Sequence, residues 1–94
     1  MSEPERYPWL WDVPMDAAAF RRILSGESAQ HGRDWRWALV RLIEYAPYQD
    51  ICRLLPVERF LAGWPEIAGR IRSETRREGM EFLRSELLKR RRGG

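Results

Sequence analysis

The sequence predicts an all-α fold, a compact bundle of five to six short helices preceded by an extended aromatic strap. Apolar residues recur every three or four positions along most of the chain, which is the spacing of helices that bury one face. No window shows the apolar–polar alternation between turns that indicates a strand. A length of 94 residues favours one domain. We expect this domain to span residues 1–94, with residues 1–7 and 91–94 disordered.

The aromatic strap lies between two prolines. Pro8 and Pro14 flank the stretch, and because proline disfavours helix both at its own position and before it, an extended conformation is expected. The side chains of Trp9 and Trp11 are then expected to pack onto the helices.

The first two helices carry clear start signals. Asp16 is predicted to be the N-cap of the first helix, which ends at Gly26, and residues 27–33 form a loop. The second helix is predicted to run from its cap Asp34 to Ala46. Bulky groups lie on nearly all sides of this second helix, which indicates a central position in the bundle.

Three prolines at nine-residue intervals divide the next part of the chain. Because proline is well tolerated in the first turn of a helix, they predict three short helices. These helices are 47–55, 57–63 and 65–72.

The last helix is predicted to begin near Ser73 and to reach Arg90. Thr75 and Glu78 have the spacing of a capping box at its start. The sequence leaves open whether this helix is continuous with the segment 65–72.

The residue types that carry catalysis or metal binding are scarce. His31, in a polar loop, is the sole histidine and Cys52 the sole cysteine, which is too few for a zinc site. The seven glycines form no phosphate-binding motif. We therefore expect no enzyme activity, no metal and no cofactor. A single cysteine, with no signal peptide or membrane span, predicts a cytoplasmic protein.

Positive charge is concentrated at the C-terminal end. Residues 70–94 contain nine Lys and Arg but four Glu, whereas the rest of the chain is slightly acidic. Such an end is typical either of a solvated helix terminus or of a nucleic-acid contact. The candidate nucleic-acid-binding residues are Arg84, Lys89, Arg90, Arg91 and Arg92.

A few side chains depart from the helical pattern. Arg76 interrupts the apolar stripe of the last helix, so it either pairs with a carboxylate, such as Asp12, Glu44 or Asp50, or contacts a partner. Trp37 and Phe82 lie off the main stripes, and either another helix covers them or they form an apolar patch for a protein partner. The candidate partner-binding residues are Trp37, Phe82, Arg76 and Arg77. The polar residues expected to be structural are Asp12, Arg41, Glu44 and Asp50.

The order of several scattered residues resembles a family of small uncharacterised bacterial helical domains. The matching positions are Trp11, Asp12, residues 41–45, Asp50, Ile51, Leu54, Leu55, residues 70–73, Arg76, Arg77 and Phe82. The genes of such domains often neighbour nucleotidyltransferase-type toxins of phage-defence systems. The resemblance therefore implies an antitoxin or accessory role.

The sequence as a whole predicts a small, non-catalytic protein-interaction module whose partner is another protein. An exposed apolar patch, formed by Trp37, Phe82 or the strap residues Trp9 and Trp11, would anchor the contact, and arginines of the last helix would form its charged rim. The alternative is an accessory protein that binds nucleic acid through the basic C-terminal helix.

Overall fold

Five α-helices and two 3-10 turns form the part of the chain that the computed structural model describes, residues 5–30 and 32–93. No strand occurs within those residues, so the predicted all-α class is confirmed. The helices are α1 (Ala17–Leu24), α2 (Trp35–Tyr45), α3 (Tyr48–Leu54), α4 (Val57–Ile67) and α5 (Glu74–Gly93). The 3-10 turns are Pro8–Leu10 and Ala68–Arg70.

Both predicted aspartate caps are confirmed. The Asp16 side chain accepts a hydrogen bond from the backbone N–H of Ala19 at 2.8 Å. The Asp34 side chain accepts from the backbone N–H groups of Arg36 and Trp37 at 3.1 and 3.2 Å. Because these N–H groups have no partner within their own helix, the caps fix where α1 and α2 begin.

Helix α2 lies at the centre of the bundle and contacts α1, α3, α4 and α5. Four of its side chains are completely buried. They are Ala38, Leu39, Leu42 and Ile43. Phe20 of α1 and Phe60 of α4 are equally buried, so the core forms around α2 as the sequence predicts.

The predicted helices 57–63 and 65–72 are wrong as separate elements. Pro65 lies inside α4, the third residue from its C-terminal end. Its missing N–H removes one helical hydrogen bond, but Trp64 and Ile67 on either side are both buried. Their burial keeps the backbone helical past the proline until Ile67.

A break separates this segment from α5. Ile71 has an extended backbone, with φ of −80° and ψ of 115°. The Ser73 hydroxyl accepts a hydrogen bond from the backbone N–H of Arg76 at 3.3 Å. The cap of α5 is therefore Ser73, and Glu74 already lies in the helix, so the predicted capping box starting at Thr75 is wrong.

The aromatic strap is a turn rather than an extended segment. Pro8–Leu10 forms a 3-10 turn because proline fits its first position, and the Leu10 N–H donates to the Tyr7 carbonyl at 3.0 Å. Trp9 is buried, and its indole N–H donates to Asp50 of α3 at 3.1 Å. Trp11 does not pack onto the helices as expected, because its side chain is 78% exposed.

Residues 5–7 and 91–93 lie within the described part of the chain, and the expectation that they are disordered stays a prediction. Tyr7 stacks on Trp9 with ring centroids 4.8 Å apart, and α5 continues to Gly93. The Arg91 guanidinium pairs with Glu58 of α4. The same expectation for residues 1–4 and 94 lies outside the described residues.

Arg76 has a different partner from the carboxylate that the sequence suggested. Its guanidinium donates hydrogen bonds to the backbone carbonyls of Ile43 and Ala46, at 2.8 and 2.7 Å. These carbonyls belong to the C-terminal end of α2, where the helix leaves acceptors unused. Arg76 therefore links α5 to α2, and its positive charge lies at the C-terminal carbonyls of α2, where a cation is favourable.

We expect Arg76→Ala to lower the free energy of unfolding by about 2 kcal/mol, because two carbonyls lose a charged donor. Urea unfolding followed by tryptophan fluorescence measures this value. Arg76→Lys, which keeps a charged donor, should cost less. The matched control is Arg70→Ala on the exposed 3-10 turn, which should change stability by less than about 0.5 kcal/mol. Equal losses for Arg76→Ala and Arg70→Ala would contradict the capping role.

The contact between α2 and α4 depends on a glycine. A Cβ atom at Gly63 would lie 2.5 Å from the ring of Trp35. That ring cannot move freely, because the guanidinium groups of Arg36 and Arg59 lie over it, 4.6 and 5.2 Å from its centroid. Gly63 is therefore required by the close approach of the indole.

We expect Gly63→Ala to lower the free energy of unfolding by about 1–3 kcal/mol through overpacking. The matched control is Gly79→Ala in α5, where a Cβ meets no described atom within 4 Å. This control should raise stability by roughly 0.5–1 kcal/mol, because alanine favours helix more than glycine does. Thermal and urea unfolding measure both. A stabilising Gly63→Ala would show that Trp35 does not pack against α4.

Candidate functional site

The outer face of α2 carries arginine and aromatic side chains in alternation. Arg33, Trp37, Arg41 and Tyr45 follow one another at intervals of four residues, so they lie along one side of the helix and the turn before it. The Arg41 guanidinium lies 5.6 Å from the Trp37 ring and 4.5 Å from the Tyr45 ring, and Arg33 lies 5.4 Å from Trp37. At these distances cations interact favourably with aromatic faces. We call these four residues the arginine–aromatic ladder.

Asp12 joins the N-terminal turn to this ladder. Its two carboxylate oxygens accept hydrogen bonds from the two terminal nitrogens of Arg41, at 2.8 and 3.1 Å. Paired contacts of this kind fix the orientation of both groups. The hydrogen bond from Arg41 lowers the pKa of the Asp12 carboxyl. The predicted structural residues Asp12 and Arg41 thus contact each other.

Trp11 lies next to this ion pair and is 78% exposed, and Tyr45 at the end of the ladder is 49% exposed. Tryptophan, tyrosine and arginine are the residues that most often dominate binding energy at protein interfaces. Together with the arginine–aromatic ladder, Trp11 and Asp12 form what we call the ladder surface. Trp11, Asp12 and Tyr45 are its exposed members, whereas Arg33, Trp37 and Arg41 are partly buried beneath and beside them.

The sequence identified only part of this surface. Trp37 was a predicted partner-binding residue, and it is half-buried because it packs edge-on against Phe20, 6.2 Å between ring centroids. Arg33 and Tyr45 were not selected. The signal that could have found them is the four-residue interval with Trp37 and Arg41. For Trp11 the sequence left two alternatives, packing onto the helices or anchoring a partner together with Trp9, since a sequence pattern does not show on which side of a turn a residue lies.

The other predicted partner-binding residues do not join Trp37. Arg76 contacts the end of α2, and Arg77 donates to the Ile71 carbonyl at 3.3 Å. Phe82 lies on α5 and is 69% exposed. Arg76 and Arg77 therefore make contacts within the chain away from Trp37, and Phe82 lies on a separate helix.

The remaining predicted structural residues connect elements. Glu44 of α2 accepts a hydrogen bond from the backbone N–H of Arg72, in the segment before α5. Asp50 of α3 accepts from Trp9 and also pairs with Arg53 at 2.9 Å. Each carboxylate therefore holds a loop or turn against a helix.

The basic C-terminal residues are partly paired with acidic side chains. Lys89 lies 3.6 Å from Glu86, and Arg91 pairs with Glu58. Arg84 is half-buried, whereas Arg90 and Arg92 are exposed. Ion pairs therefore reduce the positive charge that this end offers to phosphates.

A cleft of about 670 Å³ lies between the end of α1, the start of α2 and α4. Its wall includes Trp35 and Gly63, and its charged groups have partners within the chain. Glu66 pairs with Arg36 at 2.7 Å, Glu58 pairs with Arg91, and Arg59 donates to the Ser25 carbonyl at 3.1 Å. These charged groups therefore serve packing between elements.

Within residues 5–30 and 32–93, no group of three or more His, Cys, Asp or Glu side chains is placed to hold a metal ion. Cys52 is exposed. His31 lies outside the described residues. No described helix is both long enough and apolar enough to cross a bilayer.

We expect the Asp12 carboxyl to titrate below its ordinary pKa of about 3.9, because the bound guanidinium favours the charged form. A carboxyl whose pKa is lowered in the folded state stabilises the fold above its unfolded pKa. That contribution is lost as the pH falls through the folded pKa. An NMR titration of the carboxyl carbon measures this pKa. Arg41→Gln should raise it, and Arg22→Gln, on exposed α1, should not. An unshifted pKa in the unchanged protein would contradict the pairing.

Comparison with known proteins adds no relative to this structural description. No protein-family model, no curated protein and no solved structure matches the chain at a significant level. The resemblance to small bacterial helical domains therefore stays a prediction, and the function is argued from the geometry.

Proposed function

We propose that this protein is a small, non-catalytic protein-interaction module that binds its partner through the ladder surface. The observation that carries the proposal is the exposure of Trp11, whose side chain is 78% accessible on a fixed turn. An exposed indole adds nothing to the core, and tryptophan is enriched at the centre of interfaces, which supports a contact with a partner at this position.

The turn that carries Trp11 is held on both sides. Before it, the buried Trp9 donates its indole N–H to Asp50. After it, Asp12 receives two hydrogen bonds from Arg41. Because these contacts position Trp11 before binding, little conformational entropy is lost when a partner covers it, and the affinity is correspondingly higher.

The charges of the surface define the partner's chemistry. Arg33 and Arg41 supply two cations against the single carboxylate of Asp12, which leaves a positive balance beside the aromatic rings. A complementary surface offers an apolar pocket for Trp11 and one or more carboxylates around it. The resemblance to small bacterial domains supplies a class of partner, a nucleotidyltransferase-type toxin that this cytoplasmic protein would neutralise.

Nucleic-acid binding through Arg84 and residues 89–92 is the competing proposal. The exposure of Arg90 and Arg92 supports it, and the ion pairs of Lys89 and Arg91 weaken it. Phosphate contacts make binding strongly salt-dependent. Removing the residues after Leu88 would abolish such binding and leave the ladder surface intact.

We expect Trp11→Ala to weaken the complex with the protein encoded by the neighbouring gene by about 30-fold, the effect of losing roughly 2 kcal/mol at an interface anchor. Tyr45→Ala should weaken it less. Isothermal titration calorimetry measures both. Because Trp11 is exposed, the urea midpoint should stay nearly unchanged. The matched control is Val57→Ala, a 41% exposed apolar residue on α4, which should keep full affinity.

Two results would overturn the proposal. The first is a complex that Trp11→Ala and Tyr45→Ala leave at full affinity, which would place the contact elsewhere. The second is a chain that binds no neighbouring gene product but binds DNA or RNA oligonucleotides at 50 mM salt and loses that binding when truncated after Leu88. That outcome would establish the competing function.

A further inference from the structure

Helix α5 has an outward face with a second periodic pattern. Six residues at alternating intervals of three and four are all exposed. They are Thr75, Glu78, Phe82, Ser85, Lys89 and Arg92. Met80, on the opposite side of the helix, is buried against the core. Alternating intervals of three and four residues keep one face turned towards a second helix. We call these six residues the α5 seam.

The middle of the seam can accept a close neighbour. Phe82 is 69% exposed there. Gly79 lies one turn before it, and a Cβ at Gly79 would meet no described atom within 4 Å. A second backbone can therefore come near the helix at this point, where the phenylalanine ring would be removed from water.

The two halves of the seam carry opposite charges, so the seam is complementary to a second copy of itself that runs in the opposite direction. The acidic residue Glu78 lies in the first half, and Lys89 and Arg92 lie in the second half. If two copies run antiparallel about the midpoint of the seam, Glu78 lies opposite Lys89 of the other copy. Phe82 then lies opposite the small Ser85. A parallel pair would place Glu78 against Glu78, which repels.

The residues beside the seam fit the same arrangement. In the antiparallel pair, Glu81 falls near Leu88 of the other copy, and Glu86 falls near Gly79. No pair of like charges is brought together at these flanking positions. Antiparallel helix dipoles also attract, since opposite ends lie side by side.

We propose that the α5 seam binds a second copy of this chain, forming a twofold-symmetric dimer of antiparallel α5 helices. Such a contact uses the same patch on both copies and therefore closes at two. Because charge pairs contribute much of the contact and Phe82 supplies its central apolar side chain, the dimer is weak and sensitive to salt. The proposal uses no residue of the ladder surface, so it stands or fails independently of the proposed function.

Sedimentation equilibrium of the full chain at 50 and 500 mM salt tests this proposal with a charge exchange. Glu78→Lys and Lys89→Glu each place like charges opposite one another in both symmetric pairs. Each change should lower the association constant about tenfold at 50 mM salt. The double variant restores the opposite-charge pairs and should recover most of the association. In the double variant the contact between residue 89 and Glu86 is disturbed just as it is in Lys89→Glu. A recovery of association in the double variant therefore reports the contact between the two copies and not the contact within one chain.

Three further measurements complete the test. Phe82→Ala should also weaken the dimer, and Glu27→Lys, an exposed change in the loop after α1, should not. Circular dichroism should show the same helix content for every variant, since each changed residue is exposed. A chain that stays monomeric up to millimolar concentration would overturn the proposal. So would single exchanges without effect, or a double variant as weak as the singles.

Discussion

Helix α2 contacts the four other helices, and these contacts constrain the rest of the molecule. Its inward residues have no exposed surface, and its first turn is capped by Asp34. Its final carbonyls bind the Arg76 guanidinium. Because the core face and both ends of α2 make these contacts within the chain, the outer face is the part of the helix that can contact another molecule. The arginine–aromatic ladder occupies that outer face, and its geometry follows from the anchoring of the helix.

The five tryptophans differ in how much of their apolar surface is buried. Trp9 and Trp64 are buried, but only Trp9 has a described partner for its indole N–H. The unpaired Trp64 N–H costs about 1–3 kcal/mol, which the burial of its large ring offsets. Trp35 and Trp37 are half-buried beneath arginines. Trp11 is 78% exposed, so packing of the core does not explain it, and the proposed contact with a partner would.

The parts of the fold that depend on neighbouring residues could be predicted from sequence. Asp16 and Asp34 cap helices because a side chain reaches an N–H only two or three residues away. The sequence did not show that the helix continues through Pro65, because the burial of the neighbouring residues decides this. The partners of Arg76 are carbonyls more than 29 residues away, and no pattern within α5 indicates them. The ladder surface likewise requires knowing that the turn at Trp11 docks beside Arg41.

Arg76 also relates the two proposed contact surfaces to each other. It binds the end of α2 from within α5, so the helix that carries the ladder and the helix that carries the seam are held together. Pairing of two α5 helices would therefore place two ladder surfaces in one assembly with a defined separation. A partner that is itself a dimer, with two sites at that separation, would bind far more tightly than one site allows, because its second contact is intramolecular. A weak, salt-sensitive dimer would then set the strength of partner binding without taking any direct part in the contact.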